Sequence, residues 1–85
     1  MKQRTNQGYT IIAAITLPEH EYVLGEKQEQ TREPKYVTWC CVNGTYYYGH
    51  YIDDLNVATR DLYERANREL SYRIERLNIK IKGEK

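Results

Sequence analysis

The segment 36–52, Tyr-Val-Thr-Trp-Cys-Cys-Val-Asn-Gly-Thr-Tyr-Tyr-Tyr-Gly-His-Tyr-Ile, leaves this chain little freedom at its centre. Two runs of strand-forming residues flank Asn43-Gly44, the dipeptide that best suits the two positive-φ positions of a tight hairpin turn. The same stretch holds five of the nine tyrosines and the only tryptophan. A hairpin there, with a two-residue turn, pairs Val42 with Thr45, Cys41 with Tyr46, Trp39 with Tyr48, Val37 with His50 and Tyr36 with Tyr51. Side chains alternate along a strand, so one face then carries Val37, Trp39, Cys41, Tyr46, Tyr48 and His50. The other carries Tyr36, Thr38, Cys40, Val42, Tyr47 and Tyr51, with Gly49 leaving a gap opposite Thr38. The tryptophan face is expected to point inward; a one-residue slip would exchange the two faces.

The rest of the chain supplies partners for that hairpin. Residues 9–17 form a β-branched-rich run that Pro18 ends, because proline has no N–H for a sheet ladder. Residues 21–26 form a shorter run around Tyr22-Val23-Leu24, and 27–34, without a hydrophobe, are expected to be an exposed loop. Asp53 or Asp54 caps a helix extending to about Leu77. Its apolar positions Leu55, Ala58, Leu62 and Ala66 make one stripe, and steps of four rotate Leu70, Ile74 and Leu77 sideways. Residues 78–85 are a tail or a short final strand, and 1–7 are expected to be disordered. The expected architecture is α+β: an antiparallel sheet of about four strands with one long C-terminal helix packed on one face.

With 85 residues the chain forms one small domain, and with no Phe and one Met its core must be built from Tyr, Ile, Leu and Val. A domain this small is marginal alone, which makes a homodimer a natural expectation. The formal net charge of +1 speaks against wholesale electrostatic capture of nucleic acid or an anionic membrane. Ile11 to Ile15 is the longest apolar run, far short of a bilayer span, and the polar N-terminus lacks a secretory core, so a cytoplasmic, non-membrane protein is expected. Adjacent Cys40 and Cys41 point to opposite faces of a strand and suit free thiols in a reducing compartment.

Four chemistries are weighed. A metal site from Cys40, Cys41, His50 and His20 lacks the paired spacing of structural zinc, so no metal or other cofactor is expected. Nucleophilic catalysis by Cys41 with His50, oriented by Asp53 or Asp54, needs an activated thiol, whereas a mid-strand cysteine beside tryptophan is usually packed; the chain is read as non-enzymatic. Nucleic-acid binding would use sheet tyrosines to stack bases and Arg65, Arg68 and Arg76 to hold phosphates. Asp61–Arg65, Glu64–Arg68 and Glu69–Arg73, however, read as ordinary i,i+4 helix pairs. Protein recognition would use the far-face tyrosines Tyr36, Tyr47 and Tyr51 and the rotated stripe Leu70, Ile74 and Leu77.

Tyr36-Val37-Thr38-Trp39, followed by Tyr47-Tyr48-Gly49-His50-Tyr51 and Asp53-Asp54, resembles a family of short uncharacterised proteins carried by conjugative transposons, plasmids and phages of Gram-positive gut bacteria. The similarity covers roughly residues 21–70, and Tyr48 stands where a tryptophan would be expected. The resemblance implies cargo of a mobile element and carries no catalytic residues. The functional expectation is therefore an accessory or regulatory protein acting by binding protein, itself or another; the alternative is a single-stranded nucleic-acid-binding module.

Overall fold

The computed structural model describes residues 3–84, with side chains from 3 to 72. Five antiparallel strands follow one another across a single sheet: β1 (Thr5–Asn6), β2 (Tyr9–Thr16), β3 (Glu21–Lys27), β4 (Tyr36–Val42) and β5 (Thr45–Ile52). Helix α1 (Leu55–Glu84) leaves the last strand and packs back across the sheet. This is an α+β fold with a helix on one sheet face, as the sequence implies, but the sheet has five strands.

The additional strand comes from the N-terminus. Gln7 and Gly8 have φ values of 52° and 85°, so a two-residue turn folds Thr5–Asn6 onto β2, pairing Asn6 with Tyr9. Residues 5 and 6 are therefore strand rather than disordered; Met1 and Lys2 lie outside the described residues. Asn43-Gly44 makes a turn of the same type, with φ values of 51° and 81°. At the other end, helix α1 continues to Glu84, so residues 78–82 are helical rather than a final strand. Nothing from Asn78 to Lys82 breaks a helix, the first glycine being Gly83, and an established helix propagates easily. The 28–33 segment is exposed, but its base is tied down: the Tyr9 hydroxyl donates to the Pro34 carbonyl at 2.7 Å, and Lys27 pairs with Glu33.

The hairpin register departs from simple alternation. Val42↔Thr45, Cys41↔Tyr46 and Cys40↔Tyr47 pair as expected, but the next pairs are Thr38↔His50, Val37↔Tyr51 and Tyr36↔Ile52. β5 therefore carries a bulge opposite Trp39, with Tyr48 at φ 56°, and the extra residue reverses the facing of everything after it. A Cβ on Gly49 would sit 2.8 Å from the Trp39 indole nitrogen, so only glycine lets the ring lie against this backbone. The gap expected opposite Thr38 is instead the seat of the tryptophan.

The tryptophan face is buried, as expected, but it is not the face that takes the helix. Helix α1 covers the Thr38 face, where Ala58 and Leu62 pack with Leu24 and Tyr36. Trp39, 2% exposed, lies on the other face with Tyr9, Val23, Val37 and Cys41. What covers that face is the sheet itself, which curls until its two edges touch. Arg4, just before β1, donates to the Tyr46 hydroxyl at 3.1 Å and to Glu21 at 2.7 Å, and the Tyr51 hydroxyl donates to Gln7 at 3.4 Å. Tyr9, Tyr46 and Tyr51 ring the indole with centroids 5.3–6.4 Å away.

Asp54 is the helix cap: its Oδ1 accepts the Val57 N–H at 3.0 Å, and its carbonyl accepts from Ala58 at 2.9 Å. Ala58, Leu62 and Ala66 are buried as the stripe predicts, whereas Leu55 stays exposed. Thirty helical residues span about 45 Å. Strands of seven or eight residues span about 23–27 Å, so the distal helix runs well beyond the sheet.

Candidate functional site

Where the helix crosses the sheet it places charge, as well as alanine and leucine, against the strands. Arg65 is 8% exposed. Its Nη1 donates to both the carbonyl and the hydroxyl of Thr38, each at 3.0 Å. The Thr38 hydroxyl in turn donates to Asp61 Oδ2 at 2.5 Å. His50 Nδ1 meets the same carboxylate oxygen at 2.9 Å. A carboxylate offers only lone pairs, so His50 carries its hydrogen on Nδ1 and turns Nε2 away from Asp61. The result is a relay, Arg65–Thr38–Asp61–His50, pinning helix to sheet. Asp61 and Arg65 do not form the surface i,i+4 pair implied by their spacing; Thr38 stands between them.

Burial pushes the Asp61 carboxyl up, but the Thr38 and His50 hydrogen bonds and the nearby charges of His50 and Arg65 outweigh it, leaving a net lowered pKa. A lowered folded-state value means Asp61 contributes stability above its unfolded pKa, near 3.9, and that contribution is lost as pH falls through the lower folded value. Wild type should therefore exceed Asp61→Asn in urea midpoint at pH 6, with the gap closing below about pH 4. Midpoints that stay equally separated down to pH 2 would contradict the assignment.

Beside the relay lies an open cleft of about 360 Å³ between the helix and the hairpin end of the sheet. Arg65 and Arg68 contribute its cationic wall, and Glu69 sits next to them. Opposite are Tyr22 and His20, whose rings meet edge-on at 5.4 Å, with His20 Nε2 3.8 Å from Glu69. Tyr22 lies under the Arg65 guanidinium at 5.6 Å. Tyr48, on the bulge and 79% exposed, closes one side. Cys40 lies at the cleft, but burial pushes its thiol up, against the opposing pull of a Tyr22 hydrogen bond and Arg65. A thiol held protonated is a poor nucleophile.

The residues singled out from sequence are redistributed. Tyr36 is buried beneath the helix, because Leu24 and Leu62 claim its face. Tyr51 is carried by the bulge to the tryptophan face, its ring edge-on to Trp39. Tyr47 stays exposed opposite Cys40, so Tyr36, Tyr47 and Tyr51 do not form one surface. The bulge likewise separates His50, which is on the helix face, from Cys41, which is packed with Trp39. Arg65 and Arg68 meet at the cleft, and Leu70 is exposed on the helix. The side chains of Ile74, Leu77 and Arg76 lie outside the described residues. Among the described residues, no three His, Cys, Asp or Glu side chains cluster as metal ligands, and no helix is long and apolar enough to cross a membrane.

Alternation puts Tyr48 on the tryptophan face, and spacing offers His20 only as a metal ligand; the bulge brings the one to the cleft and a turn brings the other. Arg65 had a legible signal. At 100° per residue it falls about 20° to one side of Ala58, at the edge of the arc that Ala58, Leu62 and Ala66 define, so the helix's own geometry points it at the sheet. No family model, curated protein or solved structure matches this chain.

Proposed function

We propose that this chain is a non-enzymatic accessory or regulatory protein of a mobile element that acts by binding protein, and that its first partner is a second copy of itself. The mobile-element setting rests on the resemblance of the hairpin and its exit. The observation that carries the binding is a pattern along the helix that starts over the sheet and continues past it. Tyr63, Leu70 and Leu77 recur every seven residues, with Asn67, Ile74 and Ile81 interleaved in the same period. Set as heptads, Tyr63 and then Leu70 and Leu77 occupy d, while Asn67 and then Ile74 and Ile81 occupy a; leucine at d with isoleucine and a single asparagine at a favours parallel two-stranded coils and fixes their register.

Where side chains are described the pattern is open to a partner: Tyr63 is 59% exposed, Leu70 is 37% exposed and Asn67 is exposed. At 100° per residue this seam lies about a quarter-turn from the line of Ala58, Leu62 and Ala66, so two sheets need not collide when two helices pair. The pairing adds apolar burial that a small domain lacks.

Leu70→Glu tests it. Burying an unpaired carboxylate in each copy costs about 3 kcal/mol or more, which is over a hundredfold in dissociation constant. Sedimentation should show concentration-dependent dimers for wild type and monomers for the variant, with an unchanged circular dichroism spectrum. A wild type that stays monomeric at high concentration would refute self-association.

A further inference from the structure

We propose that the cleft between helix and hairpin is a nucleotide site, holding one phosphate on Arg65 and Arg68 with a base against Tyr48. This is independent of the helix seam. The argument begins with the buried cation. Taking a guanidinium out of water is costly unless its donors are satisfied. Thr38 occupies Nη1, and among the described residues no carboxylate lies within ion-pair distance of Arg65. Among the described residues, no buried side-chain nitrogen or oxygen is left without a partner. The remaining donors of the fork therefore open on the cleft rather than on protein. A planar fork of this kind matches the paired oxygens of a phosphate.

The wall charges set the number of phosphates. Arg65 and Arg68 give two positive charges and Glu69 removes one, with His20 between Glu69 and the Tyr22 ring. A net single positive charge suits one phosphomonoester or one phosphodiester and disfavours a triphosphate. The volume of about 360 Å³ lies at the small end of the usual range for small-molecule sites, enough for one nucleotide unit.

The base platform is Tyr48. It is the most exposed of the exposed large hydrophobic side chains, and it sits at φ 56°, where a bulky residue is strained. A large ring held out at a strained bulge beside two arginines is what base stacking uses, and such stacking is tolerant of sequence.

The same chemistry is offered by a free nucleoside monophosphate and by one unit of a single strand, and titrations separate them. Thymidine, thymidine 5′-monophosphate and a thymidine pentanucleotide would each be titrated into 15N-labelled protein at low salt. The proposal expects the monophosphate or the pentanucleotide to shift the Tyr22, Cys40 and Arg65 amides and to bind at least tenfold tighter than thymidine. Arg68→Gln should weaken that binding about tenfold through a lost charge-assisted contact. Tyr48→Gly should weaken it about tenfold through lost stacking, while its urea midpoint stays at or above wild type because glycine suits positive φ. Binding of the monophosphate identifies a free nucleotide or terminal phosphate as the source; binding of the pentanucleotide alone identifies a strand. Thymidine binding as tightly as either phosphate form, no response at millimolar ligand, or affinities unmoved by both variants would overturn the proposal.

Discussion

Trp39→Ala is expected to remove most of the stability of this domain. Truncating a buried tryptophan costs about 3–5 kcal/mol, and at about 0.05–0.15 kcal/mol per residue a chain of this length has only about 4–13 kcal/mol in total. The loss should be at the upper end, because Trp39 has few routes to relaxation. Its indole is gripped by Tyr9, Tyr46 and Tyr51, and it rests on the bare backbone of Gly49. Without it the rings that join the sheet's two edges have nothing to close upon. A urea titration should show a midpoint at or near zero denaturant. A change under 1 kcal/mol would place Trp39 on an ordinary surface and deny that the sheet encloses it.

Thr38→Val should be the most damaging substitution of nearly equal volume. Thr38 is fully buried, and its hydroxyl is the hydrogen-bonded link between the helix's Arg65 and Asp61. Valine keeps the shape but leaves two charged groups each short of a partner, a loss of about 2–4 kcal/mol. Arg65 retains the Thr38 carbonyl and Asp61 retains His50, so the protein should weaken without collapsing. The accompanying sign is in the acid limb. With the Thr38 hydroxyl gone, the Asp61 carboxyl moves back up, and the variant's stability should depend less on pH below about pH 4. A Thr38→Val protein within 0.5 kcal/mol of wild type, with an unchanged acid limb, would show that the relay is incidental.

Much of this architecture can be read from particular residues. Asn43-Gly44 set the hairpin, Pro18 ended a strand, Asp54 capped the helix, and Ala58, Leu62 and Ala66 lay where the stripe put them. What alternation could not carry was the bulge. One extra residue at Tyr48 reverses parity, so Tyr51 and His50 exchanged faces although their neighbours toward the turn kept theirs. Which face takes the helix was hidden for a related reason. Both faces of β4 bear apolar residues, so hydrophobicity alone could not choose between them. The choice lay in polarity: a helix whose inward arc includes Asp61 and Arg65 needs the Thr38 hydroxyl, not an indole, across from it.

The candidate cleft was half legible for the same reason. Arg65 and Arg68 are recognisable as helix cations, yet the tyrosine beside them depends on the bulge, and His20 depends on where a two-strand turn delivers it. Tyr36, the first residue of the hairpin, shows the converse error. Its hydroxyl reaches Glu26 at 3.4 Å while its ring goes under the helix, so an interface-type residue serves as core.

The most direct test of the binding account is disulfide trapping at Asn67. Facing a-position residues in a parallel, in-register pair lie within the 4.4–6.8 Å Cα separation that a disulfide accepts. Asn67→Cys should therefore give covalent dimers in near-complete yield under mild oxidation, while Tyr72→Cys, on the outer side of the heptad, should not. Cys41 is buried and Cys40 half-buried with a raised pKa, so neither native thiol should compete. Equal, trace cross-linking at positions 67 and 72 would contradict the parallel helix pair and the self-binding function built on it.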